Sequence, residues 1–92
     1  SVGVGLIGTG YVAKLRAEAF VHDERSHLVA FVGNTKEKTA SLASDYQAEA
    51  MSSSQELLER EDIDLVVICN VNRDHGAIAK KALQAGKHVI QL

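Results

Sequence analysis

Runs of uninterrupted apolar residues alternate along the chain with stretches in which apolar positions recur at helical spacing. The first run, Val2–Ile7, leads into Gly8-Thr9-Gly10 and then into a helical pattern over about Tyr11–Val21. There Ala13, Ala17 and Phe20 share one face, while Lys14, Arg16 and Glu18 fall toward water. His27–Gly33 is a second strand, so continuously apolar that it suits burial on both faces of a parallel sheet. The next helix runs over roughly Lys36–Tyr46, with Thr39, Leu42, Ala43 and Tyr46 on one stripe. Ala48–Met51 forms a very short third strand. Ser53-Ser54-Gln55-Glu56 has capping-box spacing, so a short helix begins there and carries Leu57 and Leu58. Leu65–Cys69 is the clearest buried strand. The last helix covers about Arg73–Ala85, with Ile78, Ala79, Ala82 and Leu83 facing inward and Gly86 placed to end it. His88–Leu92 begins a fifth strand.

Strict alternation of strand and helix, with no proline, is the pattern of an α/β doubly wound parallel sheet of the Rossmann type. The expected strand order is 3-2-1-4-5. A ligand then binds at the carboxyl ends of strands 1 and 4, where the order reverses.

Composition narrows the function classes. The chain has 92 residues, enough for one domain or part of one, with 46% hydrophobic and 24% charged residues. A chain this short buries only about 60–68% of its unfolded surface, so it is marginally stable unless something covers it. The net charge of −2 comes with no basic block or aromatic-interleaved patch, which argues against nucleic acid as a partner. No apolar run approaches the ~18 residues of a membrane span, which argues against a membrane partner. The single cysteine, Cys69, excludes an internal disulfide framework and fits a cytoplasmic, reducing location. His22, His27, His75 and His88 show no metal-ligand spacing with cysteine or carboxylates, so no metal site is expected.

The chemistry concentrates at Gly8-Thr9-Gly10-Tyr11-Val12-Ala13, which fits G-x-G-x-x-G/A between a strand and a helix. Gly8 lets the chain turn sharply, Gly10 leaves room for a pyrophosphate against the backbone, and Ala13 lets the helix lie close to the strand. The helix start adds unpaired N–H groups and a partial positive charge. A purely structural turn is the alternative. A methyl-donor site would want a third glycine where Val12 stands. Asn34 lies where an acidic residue would select the ribose 2′-OH of NAD. Asparagine has no charge to repel a 2′-phosphate, Thr35 can donate a hydrogen bond, and Lys36 offers a positive charge. NADP is therefore the expected cofactor, with NAD the alternative; a solvated helix-start lysine is the bland reading of Lys36. Ser52–Ser54 lack the nucleophile-elbow pattern of a serine hydrolase. Cys69 reads as a small buried hydrophobe rather than a catalytic thiolate.

Four segments together resemble the N-terminal part of the glucose–fructose oxidoreductase/inositol dehydrogenase (Gfo/Idh/MocA) family. They are Val4–Ala13, Val32–Lys38, Asp62–Asn70 and His75–Ile90, the last resembling the family's H-x-x-x-A-x-x-A-L-x-A-G-K-H-V run. The resemblance implies that Cys69 and Asn70, at the exit of the fourth strand, pack on the cofactor's ribose and pyrophosphate region. It also implies that Asn72 and His75 face the same crevice, with His75 near the nicotinamide ribose. Lys87, in the G-K-H-V turn, is read as structural. In the family a Glu-Lys-Pro motif follows the fifth strand, and the catalytic aspartate and histidine lie in a second, α+β substrate domain. Residues 1–92 therefore read as a dinucleotide-binding domain truncated at its C-terminus, without the substrate domain and inactive alone, so no residue here is assigned a catalytic role. The implied parent is a homo-oligomeric NAD(P)-dependent oxidoreductase. It would transfer hydride between nicotinamide and a sugar, cyclitol or related hydroxy or keto compound. The alternative is a non-catalytic NAD(P)-binding sensor or scaffold module.

Overall fold

The computed structural model describes residues 1–69 and 75–91. Nine elements alternate: β1 (Val2–Ile7), α1 (Tyr11–Val21), β2 (Ser26–Val32), α2 (Lys36–Asp45), β3 (Glu49–Met51), α3 (Ser54–Leu58), β4 (Leu65–Ile68), α4 (His75–Gln84) and β5 (His88–Gln91). The strands form one sheet in the order β3-β2-β1-β4-β5. Every pairing is parallel, as the apolar runs predict. The order reverses between β1 and β4.

Two cores lie on the two faces of the sheet. One packs Ala13 and Ala17 of α1 and Leu42 and Ala43 of α2 against Val4, Leu6, Phe31 and Val67. The other packs Leu57 and Leu58 of α3 and Ala82 of α4 against Ile7, Val32, Val66 and Ile68. Adjacent residues of β1 and β4 thus serve opposite cores, which is the period-2 geometry of a strand covered on both sides. Small residues on α1 let its axis approach the sheet, and Ala13 and Ala17 have no exposed surface. Phe20 is only partly buried at the edge of this core.

The predicted stripe on α2 holds: Thr39, Leu42 and Ala43 are buried, with Tyr46 packed beside them. Thr39 is a buried polar residue whose hydroxyl donates to the Thr35 carbonyl at 2.8 Å, so its burial leaves nothing unpaired. On α4 the expectation needs correction at one position. Ala82 is buried and Ile78 and Ala79 pack against the core, but Leu83 is 62% exposed. A helix seated by small residues against two strands presents a narrower face than the four-residue stripe implies. Gly86 ends α4 with φ +82°, and the N–H groups of Gly86 and Lys87 donate to the carbonyls of Leu83 and Ala82. Lys87 has the structural role expected of it: its ammonium donates to the Arg60 and Ile63 carbonyls, at 2.7 Å each. At the same end of the sheet the Asp64 carboxylate accepts from the Gly3 N–H at 3.0 Å. Arg60 pairs with Asp62 at 2.7 Å and also with Glu49. The amino-terminal ends of the strands are thus tied by charge and hydrogen bonds, and the carboxyl ends are left to form a site.

Candidate dinucleotide site

The carboxyl ends of the central strands are held in register past the sheet itself. The Gly8 N–H donates to the Val32 carbonyl at 2.7 Å, and the Cys69 N–H donates to the Ile7 carbonyl at 2.8 Å. β1, β2 and β4 therefore leave the sheet side by side, at the point where the strand order reverses. Gly8 turns with φ +120°, a conformation that L side chains rarely adopt. The following residues rise into α1, whose N-cap is Gly10 with extended backbone angles. Gly10 supplies no side-chain cap, and the first turn of α1 contains no acidic residue. The first N–H groups of this helix are thus left to an outside acceptor, in the field of the helix dipole.

A crevice of about 570 Å³ opens in front of this turn, lined by Gly8, Thr9, Gly10, Tyr11 and Val12 on one wall. Gly33, Asn34, Thr35 and Lys38 form the second wall, and Ser54, Cys69 and Ile78 close the remainder. A Cβ built on Gly10 meets no protein atom within 4 Å, so nothing in the fold itself requires glycine there. The open space belongs to the crevice, which is what close approach of a phosphate needs. The requirement at Gly33 is different. A Cβ there would overlap the Thr9 side chain and lie 2.6 Å from Thr39 Oγ1. Thr9 is therefore pressed over the end of β2, and the glycine turn leans directly on the Asn34 loop.

The structure sorts the sequence candidates. Gly8, Thr9, Gly10, Tyr11, Val12, Asn34, Thr35 and Cys69 all line the one crevice. Ala13 does not; it is fully buried under the turn, consistent with its packing role. Tyr11 is 77% exposed at the rim. Thr35 is the N-cap of α2, yet its side chain makes no capping bond, so its hydroxyl stands available at the crevice wall. Lys36 lines an adjoining cavity, which shares Gly33 and Asn34 with the crevice and runs on to Thr39, Ala50 and Met51. Asn70 and Asn72 fall outside the described residues, as does the side chain of His75, whose backbone opens α4. Lys38 and Ser54 were not singled out from the sequence. Helical rotation from the α2 N-cap would have found Lys38; Ser54 reaches the crevice through the α3 crossover, which carries no local signal.

Electrostatics agrees with a site for an anion. Among the described residues lining the crevice there is no carboxylate, and Lys38 is the one charged side chain. Burial pushes the Cys69 thiol up to about 11, so near neutral pH it is a protonated, apolar wall and not a nucleophile. Among the described residues no His, Cys, Asp and Glu grouping could hold a metal ion. No described helix is long and apolar enough to cross a membrane.

Comparison with known proteins agrees with this geometry. Residues 2–91 match the Gfo/Idh/MocA oxidoreductase family, described as having an NAD-binding Rossmann fold. The oxidoreductase YdgJ of Escherichia coli K12 is 33% identical over 90 residues, which cover 98% of this chain and 26% of YdgJ. The crystal structure of biliverdin reductase from Synechocystis sp. PCC 6803, in complex with biliverdin and NADP+, is 50% identical. It superposes with a TM-score of 0.93 over 98% of this chain and 28% of its own. The myo-inositol dehydrogenase of Lactobacillus casei, in complex with NAD(H) and myo-inositol, is 26% identical. Its TM-score is 0.90, over 98% of this chain and 27% of the dehydrogenase. The chain thus spans about a quarter of the length of these relatives. Family match, strand order and glycine turn converge: the chain belongs to the Gfo/Idh/MocA oxidoreductase family and is similar throughout to its NAD(P)-binding Rossmann domain.

Proposed function

We propose that this chain holds NADP(H) in the crevice at the carboxyl ends of β1, β2 and β4, as the cofactor domain of an NADP-dependent oxidoreductase. The observation that carries the reading is the chemistry of the crevice walls. An uncapped helix N-terminus behind Gly8–Val12 faces a second wall with Asn34 where a carboxylate would select NAD. The N–H groups of the α1 first turn bind the pyrophosphate. Thr35 and the amide of Asn34 donate toward the adenosine ribose and its 2′-phosphate. Cys69 supplies an apolar contact at the β4 exit. By family resemblance Asn70 joins Cys69 at the ribose and pyrophosphate, and Asn72 and His75 face the same crevice, with His75 near the nicotinamide ribose. Bound cofactor would supply the hydride; this domain fixes its position and the field around it.

The substrate is met by a second domain of a longer, homo-oligomeric protein. Family resemblance favours a sugar, cyclitol or related hydroxy or keto compound. The 50% identity to a biliverdin reductase crystallised with NADP+ favours biliverdin as the first substrate to assay and agrees with the NADP reading. Side-by-side calorimetric titration with NADPH and NADH tests the cofactor assignment. The expected result is NADPH binding at least about tenfold tighter, as removal of a charge-assisted phosphate contact implies. Equal or tighter NADH binding would overturn the NADP preference.

A further inference from the structure

The NADP reading leaves open which cation meets the 2′-phosphate, and on that reading the geometry points to Lys38 ahead of Lys36. The two lysines are residues one and three of α2, after the Thr35 N-cap. Two helical residues differ by about 200° in direction, so the side chains leave opposite sides of the helix. Their placement agrees: Lys38 lines the crevice with Asn34 and Thr35, and Lys36 lines an adjoining cavity toward β3 that shares Gly33 and Asn34 with it. A helical Cα–Cβ bond tilts toward the N-terminus. Lys38 thus reaches back over its own first turn, toward Asn34 and Thr35.

Three further observations fit a phosphate there. No ion pair among the described residues engages Lys38, although Glu37 is its neighbour. No carboxylate lines the crevice among the described residues. The Thr35 side chain is free of a capping bond. Lys38 Nζ, the Thr35 hydroxyl and the Asn34 amide are therefore three donors on one wall, and Lys38 adds the one full positive charge among the described lining residues. A 2′-phosphate offers the matching acceptors, whereas a ribose 2′-OH gains little from an ammonium.

Adenosine fragments isolate this end of the cofactor. Calorimetric titrations of the whole protein with adenosine 2′,5′-bisphosphate and with 5′-AMP compare wild type, Lys38→Gln, Lys38→Arg and Lys36→Gln. Wild type is expected to prefer the bisphosphate. Lys38→Gln should weaken the bisphosphate about tenfold and leave 5′-AMP within about twofold. Lys38→Arg should retain most of the preference, and Lys36→Gln should change neither ligand by more than about twofold. Both lysines are exposed on a helix surface, and glutamine is a good helix former, so thermal melts of the variants should match wild type. If Lys38→Gln leaves the bisphosphate within about twofold, or if Lys36→Gln carries the loss, the Lys38 assignment is overturned while the NADP reading stands. If wild type binds 5′-AMP as tightly as the bisphosphate, the NADP reading itself falls and Lys38 with it.

Discussion

Two glycines and one cysteine at the crevice show how differently single residues serve it. Gly10 has open space before it, so its glycine serves the ligand; Gly33 has Thr9 and Thr39 against it, so its glycine serves the fold. Substitutions should separate the two. Gly10→Ser places a side chain in the phosphate space at a helix N-cap, where serine is favoured. It should leave the melting temperature unchanged or slightly raised and weaken NADPH at least about tenfold. Gly33→Ala should cost about 1–3 kcal/mol in urea denaturation, from overpacking. Thr9→Ser, which removes the methyl group under that Cβ, should recover part of the loss in a double-mutant cycle. A Gly33→Ala protein as stable as wild type would show that the Thr9 contact is loose. At Cys69 the raised pKa makes two linked predictions. Alkylation by iodoacetamide at pH 8 should run at least about tenfold slower than for a free cysteine, because little thiolate exists. Because the folded-state value lies above the ordinary 9.0, at about 11, the unfolded chain loses this proton first as pH rises. The thiol's contribution to stability is thus complete below pH 9 and falls away through about pH 11. Rapid alkylation at pH 8 would contradict a half-buried Cys69 with a raised pKa.

At the scale of elements, local rules settle most boundaries and fail where neighbours decide. The α3 start is written in Ser53, whose side chain accepts the Glu56 N–H at 3.2 Å. The capping box is only half formed, since the Glu56 carboxylate accepts instead from the Ser52 hydroxyl at 2.6 Å. Ser53→Ala should still cost about 1 kcal/mol in urea denaturation, with a change below about 0.3 kcal/mol showing the cap to be idle. The α4 end is equally legible, in Gly86. What could not be read was direction. Leu83 has helical spacing with Ala79 but points outward, because the sheet meets α4 along a narrow line through Ala82. Only Lys36 stood out as a helix-start cation, and it is the rotation of α2 against β2 and β3 that brings Lys38 to the crevice. The β1 turn was the easiest element to read, because strand, glycines and helix each constrain the same six residues from Gly8 to Ala13.

For the whole molecule, alternation and handedness lead to a doubly wound parallel sheet, and the glycine turn after β1 marks where its crevice opens. Its completeness is another matter. β5 is an edge strand, and Val12, Leu15, Leu83 and Ile90 expose apolar surface. Such surface favours contact with more protein. Taken alone, these 92 residues should melt at a temperature that rises with concentration, as self-association requires. A sharp transition independent of concentration would argue that the exposed surface is tolerated.

The position of the dinucleotide on the sheet decides whether the crevice is the cofactor site. Backbone amide NMR of the 15N-labelled chain, titrated with NADPH, locates it residue by residue. The largest shifts are expected at Gly8–Ala13 and at Gly33–Lys38, the two walls of the crevice, with little change at Arg60–Asp64 and Gly86–His88 across the sheet. Shifts centred on that opposite end, or none in a folded sample, would contradict that placement.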